Sequence, residues 1–318
     1  MTGIGAILRK ELADHFSSYR FIILFALIAM VSLITTYMVG MGLREELGGI
    51  AKPKFVFLML FTSTGPLFSL VQFVAFFGPL IGLILGFDAI NRERASGTLS
   101  KLASQPIYRD AIINGKFLSG VVIIAIMVIS IVLVVSGLGL RLIGVVPGIE
   151  ELWRIIIYLI ISVFYISFWL GISILFSILF RGIATSALAT LAMWIFFSFF
   201  VSMGASVLAN SIVPLETRED PERLMKHVRV QRIVSLISPM QLYNDSTAII
   251  IDPMRKTTRS LVLMGPIERL SSERFRRPLA LSQSIYVVLP HMITLIAITF
   301  ICFGVSYAVF MRQEIRSV

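Results

Sequence analysis

FFGPLIGLILGF (76–87), NRERASGTLSKLASQPIYRD (91–110) and FLSGVVIIAIMVISIVLVVSGLGL (117–140) follow one another almost without a gap. The outer two carry no charged side chain, whereas the twenty residues between them hold Arg92, Glu93, Arg94, Lys101, Arg109 and Asp110. A helix rises 1.5 Å per residue, so about 20 apolar residues cross roughly 30 Å of hydrocarbon. The two oily runs therefore read as membrane spans, and the polar segment as a loop held at one membrane surface.

Composition agrees. The 318-residue chain is 57% hydrophobic and 14% charged, with a mean hydropathy of +0.91, where a soluble domain carries about 25% charged residues. Six uncharged runs are long enough to span: Phe21 to Gly40, Pro66 to Phe87, Phe117 to Leu140, Ile155 to Phe180, Ile183 to Ala209 and Tyr286 to Met311. Alternating ten-residue strands, the mark of an outer-membrane barrel, are absent from the sequence. The expected fold is an all-α polytopic membrane protein. Its parts are an N-terminal interfacial helix (1–20), spans one to five (21–209) with the polar loop at 88–116, an external segment (210–285), and a sixth span with a C-terminal tail (286–318). The first run is too long for a signal peptide and lacks a small-residue cleavage site, so it is kept as a span. Gly65-Pro66 splits the uncharged run before the second span, which puts Phe55 to Thr64 in the outer interface.

Orientation follows from lysine and arginine in the short loops. With the N-terminus inside, the cytoplasmic face holds Arg9, Lys10, Arg20, Arg92, Arg94, Lys101, Arg109, Lys116, Arg181, Arg312 and Arg316, while the short outer loops hold Arg44, Lys52, Lys54, Arg141 and Arg154. Both termini are expected in the cytoplasm. The segment 210–285, with twelve basic and eight acidic residues, exceeds the ~60 residues over which the rule acts. It reads as a small external domain of short helices and loops, with Val230, Ile233, Val234 and Ile237 on one helical face.

Other chemistries are poorly served. The net charge of +10 is scattered over both faces without an aromatic-interleaved basic patch, against nucleic-acid binding. His15, His227 and His291 fall in three different settings, and Cys302 is alone in a span, so neither a catalytic triad nor a metal centre is expected. Fourteen methionines raise a soft-metal reading, but without clustered His or Cys. The phosphate-cradling pattern G-x-x-x-x-G-K-[ST] is missing: Gly115-Lys116 is followed by Phe117 and has Asp110 where the first glycine should stand. The chain is read as no enzyme and as binding no cofactor.

Within the polar loop, Leu99, Leu102 and Ala103 keep helical spacing, so 97–104 can form a short helix with an apolar knob, stopped at Gln105-Pro106. Charges surround the knob, a shape suited to a groove in a partner; a loop that merely fixes topology and meets anionic lipid is the plainer reading. Glu93-Arg94, Gly97-Thr98-Leu99, Leu102, Ser104, Pro106-Ile107, Arg109 and Gly115-Lys116, between the second and third of six spans, resemble the pattern of ABC-2 type transporter permeases. The interfacial N-terminal helix, the tight turn after the fourth span, the insertion before the sixth, the SPMQLYNDST stretch and the closing MRQEIRSV are similar too. The chain departs from the pattern at Asn91 or Arg92 and at Ser100, where members often carry a further acid. The resemblance implies a coupling helix involving Arg92, Glu93, Arg94, Gly97, Thr98, Leu99, Leu102, Pro106 and Arg109, docked on a separate ATP-binding subunit that holds ATP and Mg. It also implies two permease chains with two ATP-binding chains in a prokaryotic cell membrane, and export of a substrate the sequence does not name. Against this stand a non-transporting scaffold and a copper-enzyme maturation permease, each presenting 210–285 to an extracytoplasmic protein. A secondary transporter would carry charges at mid-membrane.

Three further features stand out. Glu11 lies on the apolar stripe Ile4, Ile7, Leu8, Leu12, Phe16 of the N-terminal segment, about 40° from Ile7, and reads either as a snorkelling carboxylate or as a contact to the collar at Glu93 and Arg94. Gly78, Gly82 and Gly86 form two overlapping G-x-x-x-G units that let two helix backbones approach, and Pro79 weakens that helix. Gln72, Tyr158, Tyr165 and His291 are uncharged polar groups inside spans, candidates for a pathway or for plain helix-to-helix hydrogen bonds.

Overall fold

A computed structural model describes residues 3–46, 55–62, 69–98, 108–213, 221–254 and 278–313. All regular structure among them is helical. In chain order the elements are α1 (Gly3–Phe16), α2 (Tyr19–Glu46), α3 (Val56–Thr62), α4 (Leu70–Gly86), α5 (Asn91–Ala95), α6 (Arg109–Ile143), α7 (Ile149–Leu179) and α8 (Ile183–Ile195). A π-helical turn (Phe196–Phe200) then leads into α9 (Val201–Ile212), α10 (Pro221–Ser235), α11 (Pro239–Ile251) and α12 (Leu281–Arg312). Six of these stretches are long and apolar enough to span a membrane, matching the six uncharged runs. Most overshoot their runs: α6 starts at Arg109, two turns before the apolar stretch, because Asp110 and its polar neighbours suit a helix N-terminus.

The hub is α7, which packs against α4 and α12 along most of their length and against α6 and α11 besides. The glycines of α4 make the closest approach. A Cβ on Gly82 would lie 2.6 Å from the Ile166 carbonyl oxygen and 2.7 Å from the Leu170 nitrogen, both backbone atoms of α7, and one on Gly86 would meet Ser173 at 2.7 Å. Contact this close brings α7 hydroxyls to α4 backbone groups. Pro79 cannot donate to the Ala75 carbonyl one turn earlier; Tyr165 does so instead, its hydroxyl 2.6 Å from that oxygen. Ser173 donates to the Leu83 carbonyl at 2.9 Å, and Ser177 Oγ accepts from the backbone N–H groups of Ile90 and Asn91. The proline is thus accommodated without breaking the helix, since the neighbouring span supplies the missing donor.

Three expectations need correction. First, Val56–Thr62 is not laid on the outside of the bundle: Val56, Phe57, Leu58, Leu60 and Phe61 are buried, with Leu60 filling the space beside Gly139 of α6. Second, 210–285 does not form a unit apart from the bundle over its described length, because α11 is inserted between α7, α12 and α4. Its Tyr243 is fully buried and stacked on Tyr165 with ring centroids 4.4 Å apart. Third, Arg154, counted among the loop charges, is fully buried. Its guanidinium donates to the carbonyls of Ile249 and Ile250 at the end of α11 (3.3 and 3.0 Å), to Leu279 O (2.6 Å), to Ser284 Oγ (3.1 Å) and to Glu150 (3.0 Å). The last carbonyls of a helix lack intrahelical donors and carry partial negative charge, so one arginine terminates α11 and ties it to α7 and α12.

The fifth span changes gauge midway. Ser186, Thr190 and Trp194 are the buried residues of α8, and Val201, Ala205 and Ala209 those of α9, with the π turn FFSFF between them.

Replacing Gly82 by Ala forces a methyl group into backbone, so it should destabilise the bundle by about 1–3 kcal/mol. Gly120→Ala should cost clearly less, since its Cβ meets only the Leu170 side chain, 2.5 Å away and able to turn aside. Melting temperatures in detergent decide between them, and equal shifts would contradict this packing.

Candidate coupling site

The stripe on α1 lays Ile7 and Glu11, one turn apart, against α6. Gly115 makes room: a Cβ there would come within 2.7 Å of Ile7 Cγ2. The next residue, Lys116, then falls beside Glu11. Its ammonium lies 2.9 Å from Glu11 Oε1 and 3.0 Å from Glu93 Oε1, with 4% of its side chain exposed. Lys10 closes the figure at 3.3 Å from the same Glu11 oxygen and 3.2 Å from the same Glu93 oxygen. Two carboxylates and two ammonium groups alternate, with the exposed Asp14 on the outer side of Lys10 at 3.7 Å, so each buried charge has an opposite neighbour, which is what makes a partly buried cluster tolerable.

Burial on its own would push the Glu11 carboxyl up, but Lys116, and after it Lys10, override this and hold it below its ordinary value of 4.5. Burial likewise would lower Lys10, but Glu11 and Glu93 raise it above its usual 10.5.

Around this cluster opens a cleft of about 800 Å³ between α1, α2 and the end of α4, lined also by His15, Arg20, Asp88, Arg92 and Thr98. Arg20 pairs with Asp88 at 2.8 Å and lies over the Phe87 ring. The second oxygen of Glu93 is buried without a hydrogen-bond partner among the described residues.

Past α5 the chain turns at Gly97, whose φ of +68° is a left-handed conformation that suits glycine. Thr98 Oγ1 bonds back to the Glu93 carbonyl. Leu99, Leu102 and Pro106, and with them the expected helix over 97–104 beyond Thr98, lie outside the described residues. The two ends of the loop are nevertheless placed, because both reach one residue of the C-terminal tail. Arg94 donates to Gln313 Oε1 at 2.6 Å and Arg109 to the Gln313 carbonyl at 3.2 Å, while Gln313 Nε2 donates to Ile178 O on α7. Asn91, fully buried, donates to the Gly182 carbonyl before α8.

The expected residues thus divide. Glu11 and Glu93 are brought together through Lys116, which the sequence had offered only as a loop charge and as part of a motif; Arg94 and Arg109 meet at Gln313, which it had not singled out. Arg92 reaches outward, 70% exposed and 4.0 Å from Asp88. Among the polar groups inside spans, Gln72 closes the capping box of α4 with Ser69, Tyr158 and Tyr165 are fully buried in the core, and His291 faces Asp245 of α11 at 3.8 Å.

The family model for ABC-2 family transporter proteins matches residues 5–315, nearly the whole chain. The chain belongs to this family of ABC transporter membrane subunits. Two curated relatives bear the name "Probable ABC transporter permease protein NosY". The one from Pseudomonas aeruginosa is 29% identical over 150 residues, 47% of this chain and 49% of the relative. The one from Stutzerimonas stutzeri is 30% identical over 148 residues, 44% of this chain and 49% of the relative. The chain thus spans about half the length of the curated relatives it matches.

Because the folded pKa of Glu11 lies below its ordinary value, its ion pairs stabilise α1 at neutral pH, and that contribution is lost as pH falls below 4.5 towards the folded value. Hydrogen exchange on α1 amides in nanodiscs should stay slow from pH 7 to about 4.5 and accelerate below it. Lys116→Met should give fast exchange already at neutral pH, a loss of about 3–5 kcal/mol if the two carboxylates keep their charge.

Proposed function

We propose that this chain is the permease subunit of an exporter in which two copies enclose the path and a separate cytoplasmic subunit binds ATP with Mg and hydrolyses it. The observation that carries the reading is the double anchoring of the loop 91–110. One end is bound through Glu93 and Lys116 to Glu11 on α1, and both ends are bound through Arg94 and Arg109 to Gln313 after α12.

A force applied to this loop from the cytoplasm reaches three elements at once. α1 moves through Lys116, the sixth span through Gln313, and α4 directly, since the loop is its continuation. The contact between α4 and α7 then transmits the displacement to the hub of the bundle. An alternating-access protein needs two arrangements and a partner that favours one of them; here the partner acts on Leu99 and Leu102, and the ion pairs convert a local push into movement of whole helices. Both termini, α1 and the loop then lie on the cytoplasmic side, in the cell membrane of a prokaryote.

In vesicles with the ATP-binding partner, Glu93→Ala, or Leu99→Asp together with Leu102→Asp, should insert normally but lower partner-stimulated ATP hydrolysis about 5-fold or more, the lower end of a typical coupling energy. Wild-type hydrolysis and undiminished co-purification in both variants would remove the coupling role. Orientation has its own test: in a Cys302→Ala background, Val146→Cys should react with an impermeant thiol reagent on sealed cells and Ser96→Cys only after lysis.

A further inference from the structure

The cleft beside the coupling site straddles the membrane surface. Arg20 and Asp88, paired in it, are the charged residues that border the uncharged runs opening at Phe21 and closing at Phe87. Its lining continues past them to Leu24 of α2 and to Ile84 and Leu85 of α4, about one helical turn into the hydrocarbon. One turn further along both helices, at Ile28 and Ile81, a second and wholly apolar gap lies between them and α6. α2 leans chiefly on α6 and only lightly on α4, so the seam between α2 and α4 is thinly packed.

The polar part of the cleft holds two ion-pair groups of opposite sign. Arg20 and Arg92 share Asp88, at 2.8 and 4.0 Å, which leaves one positive charge in excess. Lys10 and Lys116 share Glu11, Glu93 and Asp14, which leaves one negative charge in excess. His15 adds no charge at neutral pH, because burial lowers its pKa below the usual 6.5. Arg20, Arg92 and Asp14 are the accessible members, with 57%, 70% and 63% of their side chains exposed, so each keeps hydrogen-bonding capacity for a ligand.

We propose that this cleft binds one phospholipid with a phosphoethanolamine headgroup, its phosphate held by Arg20 and Arg92, its ammonium by Asp14, and one acyl chain laid along the seam between α2 and α4. Guanidinium groups give phosphate paired hydrogen bonds. A primary ammonium donates to a carboxylate, which the quaternary ammonium of choline cannot do. A phosphoglycerol headgroup brings the anion without a cation and leaves the excess negative charge unanswered. A segment of a soluble subunit would have to carry backbone polar groups below the membrane surface to reach Leu24 and Leu85, where an acyl chain has none to satisfy.

The test uses the full chain alone in detergent, without substrate, ATP or an ATP-binding subunit, so its outcome is separate from the transport reading. Native mass spectrometry during titration with dioleoyl phosphatidylethanolamine, phosphatidylcholine and phosphatidylglycerol should show one molecule of the first retained at a concentration about 10-fold lower than the other two, the worth of one hydrogen bond to a charged group. Asp14→Asn should weaken the ethanolamine lipid to the level of the choline lipid and leave the choline lipid unchanged. Arg92→Gln should weaken both alike, since both present a phosphate. Glycerophosphoethanolamine, the same headgroup without acyl chains, should fail to displace the lipid at equal concentration. Equal retention of the three lipids, an ethanolamine preference that survives Asp14→Asn, affinities untouched by Arg92→Gln, or displacement by the chainless headgroup would each overturn the lipid site.

Discussion

Inside a bilayer no water pairs with a backbone group that its own helix leaves open, so each such group must find a partner on another helix. α4 has two such places: the Ala75 carbonyl opened by Pro79, and the N–H groups of Ile90 and Asn91 where the helix gives way to α5. Both are met by side chains of α7, Tyr165 and Ser177, and Ser173 adds a second donor to the Leu83 carbonyl, which the Phe87 N–H already reaches. Those bonds form only if the two backbones are close, and Gly78, Gly82 and Gly86 make them close. Proline, glycine stripe and hydroxyl row are one arrangement. The coupling loop hangs from the end of α4, so its position relative to the hub rests on this contact.

At the other end the same demand is met by charge. α11 stops inside the bundle with its last carbonyls directed at protein, and Arg154 supplies donors to two of them while bonding to Leu279 and Ser284 around α12. A buried cation would ordinarily be a burden, but here a carboxylate, three carbonyls and the Phe55 ring share it. The molecule is therefore pinned at both ends by ions and in the middle by close packing. Packed helices move as rigid bodies between discrete arrangements rather than bending continuously.

What the sequence disclosed follows from the range of each interaction. Spans were legible because hydrophobicity over twenty residues is a local property. The glycine spacing was legible as a close-packing face, but not that its partner is α7, because pairing of spans depends on contacts some ninety residues apart. Lys116 stood in a visible motif, yet its second carboxylate is 105 residues away on α1. Arg154 misled because it stands just before the uncharged run that opens at Ile155 and so counts with the outer-loop charges, and burial shows only once α11 is folded over it. α11 misled for the same reason: Gln241, Asp245, Ser246 and Thr247 look solvent-facing until Arg232, His291 and the preceding helical turn appear beside them.

The π turn at Phe196–Phe200 has a consequence for phase. A stripe at every fourth residue of an α-helix drifts by about 40° per step, and over the length of the fifth span that drift would carry its buried side round to the outside. The wider turn takes the drift back, so that Ser186, Thr190 and Trp194 before it and Val201, Ala205 and Ala209 after it can all be buried. A π turn amounts to one residue inserted into an α-helix. Loss of a single residue there would barely shorten the span but would rotate everything beyond it by about 100°. Met203 and Val207, now 65% and 56% exposed, would move off the outer face, the two alanines would turn out of their packed positions, and α10, seated on α9, would be carried round with them. In this chain the alignment of two halves of one helix is written in the number of phenylalanines between them.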